Sequence, residues 1–298
     1  MIIDSHSHIG DYGGVWSKKM VDSLMPQFGR WDYWMDPSRK WRPEDFHIDP
    51  DRYVEYMDKT GIDMAVIFGL AITHLDCSTT AEYVAEIVAR HQNRFIGFHV
   101  VDPIGGLKAV EEIDHAVKDL ALKGIKIFPA YNEVAPNDPR LFPIYERCLA
   151  LDIPITVHMG YTTTARAMLE FQRPTLLDEI GLLFPGLKLI VAHLGCQWSY
   201  ETLMLMEKYP SFYADASMIY FPIDHIARTL SWAKHFGSIR RIIYGSDYPL
   251  LDPGAGIQLF RRVPQYTEKA GIEPVVTDDD IDMVLGRNAA QLFDVSAR

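Results

Sequence analysis

Cysteine is scarce in this chain: three among 298 residues, at Cys77, Cys148 and Cys196. An odd, scattered set offers no disulfide framework and suits a reducing compartment, so all three are expected as small buried hydrophobes. Long apolar runs are missing as well, and nothing approaches the roughly twenty residues needed to cross a bilayer. The chain enters a strand-like run at Met1 with no basic stretch before it. That speaks against a signal peptide and makes the cytoplasm the expected location. Positive charge is in deficit, with 29 Lys and Arg against 40 Asp and Glu and a formal net charge of −11. A nucleic-acid partner would call for a basic stripe, so none is expected. No G-x-G-x-x-G turn follows the first strand-like run, which weakens the case for an open doubly wound sheet.

What is present is an ordinary globular composition, 48% hydrophobic and 23% charged, with material for an ample core. The length fits two ordinary domains or one α/β barrel. Eight short apolar runs read as strands, at 1–9, 64–70, 95–101, 124–128, 154–160, 188–195, 212–217 and 241–247. Runs such as MAVIFGL and LKLIVAHLG are continuously apolar, as strands buried on both faces should be. Segments of helical period lie between them, at 51–60, 78–91, 106–123, 138–152, 174–184, 198–209 and 223–236. A last helix is expected to open at Thr277-Asp278-Asp279-Asp280 and run through Phe293, with carboxylates favourably placed in its first turn. This alternation predicts an α/β protein, a single parallel (β/α)₈ barrel domain over residues 1–298.

One stretch breaks the rhythm. Residues 10–49 show no clear period yet hold Trp16, Trp31, Tyr33, Trp34 and Trp41. A long insert after strand 1 would overhang the C-terminal face of a barrel. It is expected to serve as a substrate lid, with Trp34 as a candidate contact, or as an oligomer contact that allows a homodimer.

The opening MIIDSHSHIG places His6 and His8 two apart in an extended run, hence on one face of a strand. Three later strand-like runs also finish on metal-competent residues, each just before a Gly or Pro: PITVHMG on His158, LIVAHLG on His193 and IIYGSDYP on Asp247. In a barrel the C-terminal strand ends form one bowl, where all five could share a coordination sphere. Imidazoles with one carboxylate make a good zinc set, with bonds of about 2.0–2.2 Å and a position left for water. An unpaired carboxylate buried there would cost several kcal/mol, which a metal offsets.

The order HSH, VHMG, AHLG and GSDYP resembles the amidohydrolase superfamily, in its "amidohydrolase 2" branch of metal-dependent barrels. The similarity extends through LDEIGLLFPGLKLIVAHLG, the ADAS strand, RIIYGSDYP and VLGRNAAQLF, nearly the whole chain. The resemblance implies that His6, His8, His158 and Asp247 are metal ligands and that His193 is a general base or acid. Asp247 would also be able to relay a proton. The branch holds both hydrolases of lactones and related compounds and zinc-dependent non-oxidative decarboxylases, including those acting on aminocarboxymuconate semialdehyde and hydroxylated benzoates.

Lys126, in KGIKIFPAYN, shares a strand face with Gly124 and Phe128 and is expected to point inward. An isolated buried ammonium is costly. Some superfamily members carry a carbamylated lysine on the fourth strand that bridges two metals. The readings are therefore such a bridge, an ammonium holding a substrate carboxylate, or a structural ion pair. One Zn²⁺ (or Mn²⁺) per chain is favoured, and two if Lys126 is carbamylated. GIKIFP lies close to the branch's GIKLHP-type strand, with Phe128 where a histidine is common, and this tilts the expectation toward a hydrolase.

Other candidates are peripheral. Tyr131 and Asn132 would rim the bowl, and Arg166 or Arg173 could clamp a carboxylate. Gln197 and Trp198 would seat a helix, and Tyr248 and Pro249 would shape the loop after Asp247. His74, His91, His99, His115, His225 and His235 are assigned structural places, and His47 is left open. The main expectation is a metal-dependent hydrolase acting through metal-activated water on a small, carboxylated lactone, ester or amide. The alternatives are a decarboxylase of an aromatic or muconate-type acid and a non-catalytic metal-binding protein.

Overall fold

The structure, a computed structural model, describes residues 1–35, 40–162, 164–219 and 222–296, with side chains left out over 27–35. Trp34, the proposed lid contact, therefore lies outside the described side chains.

Eight parallel strands follow in sequence order: β1 (Ile3–His8), β2 (Met64–Phe68), β3 (Phe95–Val100), β4 (Gly124–Ile127), β5 (Ile155–Val157), β6 (Leu189–Val191), β7 (Phe212–Asp215) and β8 (Ile242–Ile243). Their content of Ile, Val and Phe suits strands covered on both faces, and nearly every strand residue is buried. The seam between first and last strands is bridged by Ser5 N–H to Tyr244 O, Asp247 N–H to His6 O and His8 N–H to Tyr248 O, each at 2.8 Å. Sheet and helices thus make the expected TIM-type barrel.

Helices α1 (Lys18–Met35), α2 (Pro50–Thr60), α3 (Ala81–Arg90), α4 (Leu107–Asp114), α5 (Phe142–Ala150), α6 (Asp178–Leu183), α7 (Ser199–Lys208), α8 (Ile223–His235), α9 (Pro253–Ala270), α10 (Asp278–Asp282) and α11 (Asn288–Leu292) fill the connections. Local chemistry sets their ends. Asp49 accepts from the N–H groups of Asp51 and Arg52, Pro50 opens α2, and Gly61 closes it at φ 76°. Thr80 caps α3 by accepting from Tyr83 N–H, while the Thr79 hydroxyl bonds both backbone groups of Leu70. Among the described residues no helix is long and apolar enough to cross a membrane.

Two helices were not expected. Residues 10–49 contain α1 and a short 3₁₀ turn, Pro43–Phe46, where the sequence showed no clear period. Pro26 inside α1 and an absence of charged capping signals at its ends hide it. Helix α9 starts on an Asp252 cap, and Pro264 within it interrupts the pattern in the same way.

Candidate metal centre

Strand β1 is wholly buried and carries His6 and His8 to the C-terminal end of the barrel. Asp247 follows β8 and leans across the seam. Its Oδ1 lies 3.3 Å from His6 Nε2 and 3.2 Å from His8 Nε2, yet this buried oxygen accepts no aligned hydrogen bond. Close contact without hydrogen-bond geometry is what lone pairs converging on a common point produce. His6, His8 and Asp247 place their ligand atoms within 4.8 Å of one another.

His158 and His193, following β5 and β6, form the opposite wall, with His158 Nδ1 and His193 Nε2 at 3.2 Å. Tautomers follow from the surrounding bonds. His158 Nε2–H donates to Tyr161 O at 3.2 Å, which leaves Nδ1 with a free lone pair. The Ser217 hydroxyl donates to the acceptor-only carboxylate of Asp215, so Ser217 Oγ accepts from His193 Nδ1–H at 2.7 Å. His193 Nε2 is then also bare. His158 Nδ1 can thus offer its lone pair to a cation beside His6, His8 and Asp247, with His193 Nε2 standing next to it as a free base. The residues present therefore fit a divalent metal.

Electrostatics agree with neutral imidazoles beside an ionised carboxylate. Burial lowers the pKa of His8 and, more strongly, of His158, and takes His193 down to about 3. Burial opposes the charge of Asp247, but the imidazoles of His8, His6 and His193 hold its carboxyl well below the usual range.

Asp215, at the end of β7, was given no role from sequence. Its Oδ2 accepts from His6 Nδ1–H at 2.9 Å, while Oδ1 accepts from the main-chain N–H of His193 at 3.0 Å and of Ser217 at 3.2 Å. The signal was available: a carboxylate closing a strand, as Asp247 does. The backbone is strained at this rim. His193, Leu194 and Cys196 have φ of 58°, 47° and 50°, and Asp247 has 64°, conformations that persist where the surroundings enforce them. Gly160 (φ 92°) lets the loop after His158 press on Gly195 and Cys196, where a Cβ would sit 2.7 Å from the Gly195 carbonyl carbon.

Lys126 is fully buried and inward, as expected. Its Nζ lies 3.5 Å from His6 Nε2 and about 5 Å from the ring centres of Phe68 and Phe128. Burial lowers its pKa to about 8. A small cavity above the centre is walled by Trp16, Met20, Leu24, Leu70, Phe128 and Tyr131. From the segment after β1, Trp16 and the first turns of α1 line this cavity, whereas the sequence had singled out Trp34 as the contact.

The peripheral candidates divide. Tyr131 is buried on the cavity wall, and its phenol is pushed well above its ordinary pKa by burial. Asn132 spends its amide on structure, donating to Ala71 O and Phe128 O and accepting from Thr73 N–H. Arg166 is 62% exposed, pairs with Glu133 and does not line the cavity; Arg173 is likewise at the surface, on Glu201. Neither arginine is placed to clamp a substrate over the centre.

Comparison with known proteins places this geometry. The chain is 23% identical over 263 residues to 2-amino-3-carboxymuconate-6-semialdehyde decarboxylase of Dictyostelium discoideum, covering 74% of this chain and 72% of that one. An uncharacterised TIM-barrel protein of Bordetella bronchiseptica has the same fold, with TM-score 0.78, 19% identity and 98% of both chains covered. 5-Carboxyvanillate decarboxylase of Novosphingobium aromaticivorans, solved with manganese, matches with TM-score 0.68, 15% identity and coverage of 99% and 96%. A probable 2-pyrone-4,6-dicarboxylic acid hydrolase of Acinetobacter baumannii matches at TM-score 0.65, 15% identity, and coverage of 98% and 99%. The amidohydrolase family model matches residues 3–295. With its barrel and its sequence matched from β1 to the C-terminal helix, this chain is an enzyme of the amidohydrolase family.

Proposed function

We propose that the protein is a metal-dependent, non-oxidative decarboxylase of a small aromatic carboxylic acid. This reverses the preference for hydrolysis drawn from the GIKIFP strand. The observation that carries it is the cavity wall: indole, phenyl, phenol and aliphatic side chains enclose the space over the His and Asp cluster. A dry wall raises the energy of a carboxylate more than that of neutral carbon dioxide, so desolvation favours its loss. The decarboxylases among the similar proteins support the same choice.

His6, His8, His158 and Asp247 would hold a zinc or manganese ion, one per chain. Bound there, it supplies positive charge against which the anionic groups of the substrate are seated. Lys126 adds a second positive charge beneath the same site, and the Phe128 and Tyr131 rings, packed edge to face, present aromatic surface on one wall of the cavity. The cavity lining holds no guanidinium among the described residues, which favours one carboxylate over a muconate-type diacid. In the reaction the carbon–carbon bond to the carboxylate breaks, its electron pair stays on the ring carbon, and carbon dioxide departs. His193 Nε2 takes a proton from solvent and passes it to that carbon.

The test is incubation of metal-replete protein with pooled aromatic acids and lactones, followed by mass spectrometry. Loss of carbon dioxide from an aromatic acid is the expected outcome. Gain of water by a lactone would establish the hydrolase instead, and a protein inactive with zinc and with manganese on both pools would end the proposal.

A further inference from the structure

Strand β1 departs from plain alternation around its first histidine. Asp4 lies opposite Ala65 of β2 and Ser7 opposite Ile67, so β1 takes three steps where β2 takes two. This is a β-bulge, an extra residue that re-aims the side chains around it. Uninterrupted alternation would set Asp4 on the same face as His6 and His8, inside the barrel. With the bulge, Asp4 joins Ser7 on the outer face, where both reach the phenol of Tyr53 on α2. His6 and His8 keep the inner face, against Asp247.

The Asp4 carboxylate is fully buried and fully used. Its Oδ1 accepts from Ser246 N–H at 2.8 Å and from His6 N–H at 3.3 Å. Its Oδ2 accepts from the Ser246 hydroxyl at 2.5 Å and from the Tyr53 phenol at 3.0 Å. With the Tyr53 proton spent on Asp4, the Ser7 hydroxyl donates to the Tyr53 oxygen, at 2.7 Å. Ser246 Oγ in turn accepts from Tyr248 N–H at 3.0 Å. The Tyr53 ring lies flat on that of Tyr248, with centroids 4.3 Å apart and planes 4° from parallel. One carboxylate therefore ties the main chain at His6 to both residues flanking Asp247, to Ser246 directly and to Tyr248 through Ser246. Tyr53 completes the group by holding Ser7, the residue between the two histidines.

We propose that Asp4, held by Tyr53 and Ser246, is a positioning residue of the barrel centre: it fixes the bulge and so the aim of His6 and His8 at Asp247. The role rests on the reading of that centre as a metal site. Two readouts test it beside thermal melts: Zn²⁺ affinity by competition with a fluorescent chelator, and the visible spectrum of the Co²⁺-loaded protein. Asp4→Asn turns an amide NH₂ toward groups that themselves donate. It should weaken Zn²⁺ binding by roughly 10–100-fold, as loss of a group supporting metal ligands does, and shift the Co²⁺ bands. Tyr53→Phe keeps the stack on Tyr248 and should act in the same direction by less; it decides the question if Asp4→Asn does not fold. Tyr145→Phe is the control. That phenol is as deeply buried and bonds Pro136 O outside the cavity lining, so its loss should lower the melting temperature and leave both metal readouts unmoved. Asp4 and Tyr53 variants that lose only melting temperature, or a Tyr145→Phe that weakens the ion equally, would overturn the positioning role while the metal site stands. A native chain that takes up neither Zn²⁺ nor Co²⁺ would remove the metal reading itself, and the positioning role with it.

Discussion

His6 Nδ1 and Asp215 Oδ2 lie 2.9 Å apart, both fully buried. A carboxylate can only accept when ionised, so the bond fixes the proton on Nδ1 and turns the Nε2 lone pair into the centre. Asp215→Asn should therefore weaken Zn²⁺ binding by roughly 10–100-fold without unfolding the protein. Competition with a fluorescent chelator, beside a circular-dichroism melt, reads both quantities. Unchanged affinity would show that the contact does not orient His6.

His193→Asn should separate chemistry from metal retention. The imidazole proposed to move the proton is gone, and turnover should fall by roughly 10²–10⁴-fold. Elemental analysis should still find the barrel ion, which His6, His8, His158 and Asp247 are proposed to hold. Loss of metal together with activity would make His193 a ligand.

Lys126 makes a stability prediction with a definite sign. Its pKa is about 8 in the folded protein against an ordinary 10.5. Between those values the unfolded chain binds the proton and the folded one does not, so this group makes stability rise with pH across that window. Below about pH 8 both states are protonated and the cost of burying the ammonium is felt in full. Lys126→Met should flatten the rise in denaturant midpoints from pH 8 to 10. It should also raise KM for an anionic substrate more than it lowers kcat.

Gly160→Ala tests the loop contact behind His158. A Cβ at φ 92° and 2.7 Å from the Gly195 carbonyl carbon forces the two loops apart. The expected cost is about 1–3 kcal/mol of stability. Because His158 and His193 sit on these loops, the activity of the still-folded fraction should fall as well. A loss explained wholly by unfolding would limit the glycine to a structural role.

The barrel and the gathering of most of its His and Asp cluster at one end were legible because each rests on a local signal repeated around the ring. Continuous apolar strands pointed to the parallel sheet, and the residue two before each strand-ending Gly or Pro pointed to His158, His193 and Asp247. Asp215 escaped because ADAS ends on no such punctuation, and only the fold shows its oxygens reaching His6 and His193. Arg166 failed as a clamp for a related reason. A long side chain after a strand can turn to solvent, and here Glu133 draws it there. In the segment after β1 the tryptophans drew notice, yet Met20 and Leu24, four apart, supply α1's part of the cavity wall. Proline at position 26 obscured that spacing.

Contacts across the seam join the first strand to the segment after the last one. His6 and its partner Asp215 stand 209 residues apart in the chain, so no local segment carries both halves of the cradle. An ion at the proposed site would therefore be held by the closed ring of strands and not by β1 alone, and its capture would be coupled to closure of the seam.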